Sequence, residues 1–280
     1  MTGKLWFRVP ETVRVELRGR LQPGVWAKDI TLSMLGRLSA EGGNYRAIEY
    51  AGSAVSAMEI DDRMTLANHA AELGAKAAIL EADDKTFAWL KAHKAQPPRP
   101  VKADADANYV ERIEIDASAL APQVARAHQI DDVVSVPEVK GQKINVALIG
   151  TCTNGRLDDI RQAAAILKGR RVAKGVRMIV TPASRQVYLE AAREGLIEAL
   201  TRAGASVEAA GCGTCVNITG HLITGDGEVA ISSANRNFKG RLGNAKSQIW
   251  LGSAATVAAS ALTGTITDPR QVIGGQWRAA

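Results

Sequence analysis

Three cysteines are the residues of this 280-residue chain whose type and spacing invite chemistry. Cys152 stands in Gly150-Thr-Cys-Thr-Asn-Gly-Arg156, and the other two close the run Gly211-Cys-Gly-Thr-Cys215. A Cys-x-x-Cys between glycines belongs on a loop, so the packing role of an inert buried thiol fits it poorly. A redox dithiol would use Cys212 and Cys215 and leave Cys152 without a task. A structural zinc site needs four ligands, and His221 would complete a Cys₃His set. An iron–sulfur cluster on three thiolates would keep one iron without a protein ligand, the open position that a Lewis-acid catalyst requires.

The elements around these loops are legible. Val146–Ile149 reads as a strand, Leu157–Leu167 as a helix, 176–180 as a second strand, Ser184–Ala203 as a helix and 206–209 as a weaker strand. That alternation predicts a parallel sheet with right-handed crossovers, within an α/β fold. Both cysteine loops come after the carboxyl ends of strands and so face one edge of the sheet, where open sheets bind ligands. Cys152 also opens a helix, whose end amides favour thiolate, with Asp158 and Asp159 in the following turn.

Upstream, residues 1–100 form an N-terminal α/β portion with a helical pattern from Met64 to Leu73 and a buried strand at 77–80. Residues 101–143, following a Pro-rich run, read as a linker and peripheral segment. Residues 144–280 read as the cysteine-bearing α/β domain. Leu251–Leu262 is too short and too rich in Ala, Ser and Gly to cross a membrane and reads as a buried helix. Nor does the start resemble a signal or transit peptide, which points to the cytoplasm. Trp6 and Phe7 read as the middle of a folded unit.

Thirty-five Lys and Arg against 29 Asp and Glu give a net charge of +6. The basic residues are interleaved with acids and aromatics make up 4%, which speaks against a nucleic-acid partner. His69, His93, His128 and His221 are scattered and read as surface or packed residues.

Together the motifs resemble the aconitase family, and most closely the large subunits of 3-isopropylmalate dehydratases and homoaconitase-like relatives. The two cysteine runs are similar to the family's cluster motifs, and Thr181-Pro-Ala-Ser184 lies between them. Ser233-Ala-Asn-Arg-Asn-Phe-Lys-Gly-Arg241 resembles its substrate-arginine motif, Met64–Ala75 its active-site helix, and Gly264-Thr-Ile-Thr-Asp-Pro269 its domain ending. The resemblance implies three-layer α/β/α domains with mainly parallel sheets. It implies a [4Fe–4S] cluster on Cys152, Cys212 and Cys215, whose fourth iron takes the hydroxyl and a carboxylate of a hydroxy acid that is dehydrated and rehydrated. Arg236 and Arg241 would then grip carboxylates, Asn68 and Asn235 would lie beside the cluster, and Glu72 would handle a proton.

In this family a segment preceding the matched stretch carries further acid–base residues, and a separate small subunit supplies a Ser base and substrate-selecting loop. The resemblance thus implies a chain that starts after the family's first segment and is incomplete alone. Its implied partners are a small subunit and a separate N-terminal piece of the large subunit. The expected substrate is 3-isopropylmalate, with aconitate, homoaconitate and dimethylmalate as alternatives. A zinc-stabilised binding module is the alternative of another class. Val216-Asn-Ile-Thr after the cysteine pair departs from the Gly-containing turn of many relatives.

Overall fold

The protein is described here by a computed structural model covering residues 3–139, 141–216 and 223–273. Val13, Val15 and Leu17 alternate with polar residues along β1 (Glu11–Arg18) and bury one face of the strand. β1 pairs in parallel with β2 (Arg46–Ala51) and with β4 (Glu111–Asp116), and β2 with β3 (Ala77–Leu80), in the order β3-β2-β1-β4. The connections carry α1 (Ala27–Leu38), α2 (Ser53–Ala57), α3 (Ile60–His69) and α4 (Asp84–Ala92). Apolar residues of α1, α2 and α3 share a core with the buried face of this sheet. The other face of β1 is polar, and there Arg14 donates to Glu49 (2.5 Å) and to the Tyr109 hydroxyl (3.1 Å).

The second sheet has seven strands in the order β6-β5-β11-β10-β7-β8-β9. These are β5 (Gln123–Ala125), β6 (Val133–Ser135), β7 (Val146–Gly150), β8 (Arg177–Thr181), β9 (Ala205–Val207), β10 (Val229–Ser232) and β11 (Gln248–Gly252). From β9 to β11 the pairing is parallel, while β5 and β6 add antiparallel edges. The intervening helices are α5 (Thr151–Asn154), α6 (Leu157–Leu167), α7 (Arg185–Arg193), α8 (Leu196–Ala203) and α9 (Ala254–Thr263). Ile160, Ala163, Ala164 and Leu167 recur at helical spacing on α6 and lie in the core with α9 and the sheet. Burying an Ile or Leu there contributes roughly 1.5–3 kcal/mol. The fold is α/β with mainly parallel sheets.

Three elements differ from the sequence expectation for reasons visible locally. The helix expected over Ser184–Ala203 is two helices, because Gly195 takes a left-handed φ of +72° between α7 and α8. The stretch expected as one helix from Leu251 begins as β11; Ser253 then caps α9 by accepting the Thr256 N–H at 3.3 Å. Residues 101–143, read as linker and periphery, carry β4 into the first sheet and β5 and β6 into the second. Alternating Ile113 and Ile115 give β4 its apolar side, with Ile113 1% exposed. Trp6 and Phe7 stand 84% and 63% exposed ahead of β1.

Candidate active site

In the second sheet the chain runs outward from β7 through β8 to β9, then returns to the other side of β7 as β10 and β11. The strand order therefore reverses between β7 and β10, and a crevice opens beyond their carboxyl ends. Cys152 comes after β7, Cys212 and Cys215 after β9, and Asn235, Arg236 and Arg241 after β10. All six residues are thus delivered to one edge by topology alone.

The Cys152 loop is stitched into the fold. Ser233, fully buried, accepts the Gly150 N–H (3.0 Å), and its hydroxyl lies 3.0 and 3.1 Å from the Gly150 and Asn154 carbonyls. From the first half of the chain, α3 closes over the loop. Thr65 donates to the Thr153 carbonyl (3.3 Å), and the Asn154 amide donates to Thr65 (3.3 Å) and Asp159 (3.1 Å). Asn68 accepts from the Thr153 hydroxyl (2.5 Å) and from the Asn235 amide (2.9 Å), while its own amide lies 4.0 Å from the Cys152 sulfur. The expected pair Asn68 and Asn235 therefore meet beside Cys152.

The second cysteine loop rests on Thr181. A Cβ on Gly155, at the end of the first loop, would lie 2.5 Å from the Thr181 carbonyl oxygen. One on Gly213, whose φ is +39°, would lie 2.9 Å from the Thr181 methyl. Both loops thus approach one residue as closely as glycine allows. Thr181 also donates to Glu208 (3.1 Å), the Gly211 N–H reaches the Pro182 carbonyl (3.1 Å), and the Cys215 N–H reaches the Cys212 carbonyl (2.8 Å). Arg241 comes from across the crevice and lies 3.7 Å from the Cys215 sulfur through Nη2.

Glu72 is found in a 3₁₀ turn, Ala70–Leu73, rather than on the α3 helix proper. Its carboxylate, 7% exposed, accepts Arg236 Nε with both oxygens at 3.0 Å, whereas the guanidinium is 43% exposed. A nearly buried acid and a half-exposed base thus pair at the crevice mouth. The Asn235 Oδ1 and Arg241 Nε atoms are buried without a hydrogen-bond partner among the described residues.

Sequence reasoning did not single out Lys28, Thr153 or Ser233. The hydroxyls sat within motifs already singled out, Thr153 beside Cys152 and Ser233 opening the arginine run. Nothing local marked Lys28, which becomes conspicuous only through burial at 1% exposure. His69 is buried beside it, whereas His221 lies outside the described residues, as do Asn217, Ile218 and Thr219 of the departing turn.

Among the described residues, no three His, Cys, Asp or Glu side chains gather closely enough to hold a single metal ion. Three thiols spread along one crevice suit a cluster in which each sulfur takes a different iron. The unpartnered Nε of Arg241, and the Nη2 of the same guanidinium turned toward a sulfur, suit a guest that carries negative charge.

An α/β domain with thiols and arginines converging at its strand-order reversal defines a narrow class of proteins. Residues 1–143 and 137–264 match the Aconitase family (aconitate hydratase), and the chain belongs to that family. It is 50% identical over 272 residues to 3-isopropylmalate dehydratase large subunit 2 of Archaeoglobus fulgidus, covering 97% of this chain and 65% of that protein. It is 48% identical over 271 residues to a probable methanogen homoaconitase large subunit of Methanosarcina mazei, covering 97% and 68%. With the 3-isopropylmalate dehydratase large subunit of Elusimicrobium minutum it shares 47% over 272 residues, covering 97% and 65%. The chain thus spans about 65% of the length of such relatives. No described helix is long and apolar enough to cross a membrane.

Proposed function

We propose that this chain is the cluster-binding portion of a hydro-lyase large subunit. It would interconvert hydroxy di- or tricarboxylic acids by dehydration and rehydration, with 3-isopropylmalate and 2-isopropylmalate as the leading pair. The observation that carries the reading is the convergence of Cys152, Cys212 and Cys215 with Asn68, Asn235, Glu72, Arg236 and Arg241 at one crevice. Cys152, Cys212 and Cys215 would hold a [4Fe–4S] cluster, which when bound supplies a Lewis acid that makes hydroxide a tolerable leaving group.

The chain's own residues would bind, orient and move a proton. Arg241 and Arg236 present planar guanidinium forks suited to carboxylates, which a Lys point charge would hold with less directional control. Arg236 would exchange part of its pairing with Glu72 for a substrate carboxylate. That exchange would leave the Glu72 oxygens able to take or return a proton at the crevice mouth. Asn68, fixed by Thr153 and Asn235, would keep its amide aimed at the Cys152 sulfur. The name "large subunit" borne by the relatives supports a small subunit as partner, completing the site over the exposed crevice.

Anaerobic reconstitution with iron and sulfide tests the reading. About four irons per chain, lost when any of the three cysteines becomes serine, is the expected result. Adding a small subunit of the dehydratase type, together with the preceding large-subunit segment of a relative, should then convert 3-isopropylmalate in preference to homoaconitate. Uptake of one zinc and no iron would replace this reading with that of a metal-stabilised binding module.

A further inference from the structure

A buried ammonium joins the two halves of the chain directly behind the crevice. Lys28, the second residue of α1, is 1% exposed. Its Nζ donates to the Ala234 carbonyl at 3.0 Å and lies 3.1 Å from Nε2 of His69, itself 1% exposed. An ammonium has no lone pair, so Nε2 must accept and the ring proton must sit on Nδ1. Ala234 immediately precedes Asn235 and Arg236, and His69 immediately follows Asn68 and ends α3. One side chain therefore fixes the backbone behind Asn235 and the ring beside Asn68, whose side chains meet in front at 2.9 Å.

Burying an unpaired charge is costly, and ordinary cores avoid it. Desolvation pushes Lys28 down to about 8, while Glu72, Asp159, Cys215 and Cys152 all act in the opposite sense. No carboxylate is hydrogen-bonded to the ammonium among the described residues; both of its described partners are neutral acceptors. The groups that would favour its charged form when they are themselves ionised include two of the three cysteines and the acid of the crevice. A cation held on neutral partners and surrounded at longer range by the site's acids and thiols is placed to offset charge that arrives with a guest.

We propose that Lys28 is a positioning residue of this site: it locks the 234–236 backbone to the end of α3 and supplies the buried positive charge behind the thiolate-bound group. The proposal rests on the cluster reading for its electrostatic half, and on the protein alone for its positioning half.

The two halves are read separately in Lys28→Met, which keeps the length and removes the charge, and in Lys28→Arg, which keeps the charge. In the metal-free chain, hydrogen exchange at amides 234–237 should quicken by roughly tenfold or more in Lys28→Met, while α4 is unchanged. Unchanged exchange overturns the proposal whether or not iron binds. In reconstituted protein, removing a nearby positive charge makes reduction harder, so the reduced fraction at a fixed potential should fall several-fold in Lys28→Met. Lys28→Arg should stay close to the parent. A reduced fraction that is the same in the parent and Lys28→Met overturns the charge role, and a fall of the same size in Lys28→Arg assigns the effect to packing and equally overturns it. Failure of the unsubstituted chain to take up iron counts against the cluster reading, and the exchange measurement still decides the positioning role.

Discussion

The two cysteine loops occupy the same edge of one sheet, yet they are held in very different ways. Around Cys152, Ser233, Thr65, Thr153, Asn154 and Asn68 form a closed set of hydrogen bonds spanning both halves of the chain. Around Cys212 and Cys215 the ties are mostly backbone to backbone, and the one described side chain from across the crevice is Arg241, through sulfur. The first loop is prebuilt by the fold. The second is placed by the Gly213 contact with Thr181 and, on the proposed reading, would be completed by the cluster. A site with one fixed wall and one adjustable wall can admit a preassembled guest without losing register.

The largest expected disturbance is to the fixed wall. Ser233→Ala takes the side-chain acceptor from the Gly150 N–H and removes the hydroxyl's contact with the Gly150 and Asn154 carbonyls in a fully buried place, and should cost about 1–3 kcal/mol in denaturant unfolding of the metal-free chain. A change below about 0.5 kcal/mol would show that the loop is not prebuilt. Asp83→Asn comes next. Asp83 receives Arg63 of α3 at 2.8 and 2.6 Å, and those hydrogen bonds hold its carboxyl well below the usual carboxylate range. With the Asp83 side chain 39% exposed, about 1–2 kcal/mol is expected after allowance for solvent screening. Because the folded carboxyl is depressed, this contribution is full above about pH 4, the unfolded value, and fades as pH falls further.

A pH-dependent effect has the opposite sign. Desolvation pushes buried Asp159, which anchors Asn154, up to about 8. A raised folded value contributes stability that is full below about pH 4 and lost as pH rises toward 8. Thermal unfolding should therefore fall across that window, and Asp159→Asn should flatten the slope. The Asn154 Oδ1, which lacks a partner, can turn to accept from the new amide. An unchanged slope would remove Asp159 from the account. The smallest effect on the empty protein is expected from Arg241→Met on the adjustable wall, within about 0.5 kcal/mol. The same variant should lose reconstituted iron faster than the parent; equal loss would mean the second loop needs no help from across the crevice.

The fixed and adjustable walls were unequally visible in the sequence. The cysteine spacing, the β7-α6-β8 alternation and the arginine run were all legible because each is local. Placement of Asn68 and Glu72 came only through the family resemblance, since i and i+4 on a helix ordinarily means a solvated face. β10 and β11 escaped because four- and five-residue apolar runs cannot be told from helix segments by periodicity. The strand-order reversal that gathers the site depends on those two strands, so the crevice could be expected at an edge but not located on it. The contacts of Ser233 and Lys28 were invisible for a deeper reason: their partners lie 79 or more and 41 or more positions away.

Residues 91–106 are exposed without interruption, yet the chain beyond them does not drift away. β4 returns to pair with β1, and β5 joins β11, so the continuation of the chain is interleaved with both sheets. A single protease cut near Pro97 or Pro98 would separate the covalent chain into a piece bearing Asn68 and Glu72 and a piece bearing all three cysteines. β4 would remain clasped along β1, and Lys28 would remain on Ala234. Two polypeptides made independently and mixed should then reassemble into one body with the crevice intact, because the seam of this molecule is non-covalent and runs through the middle of its site.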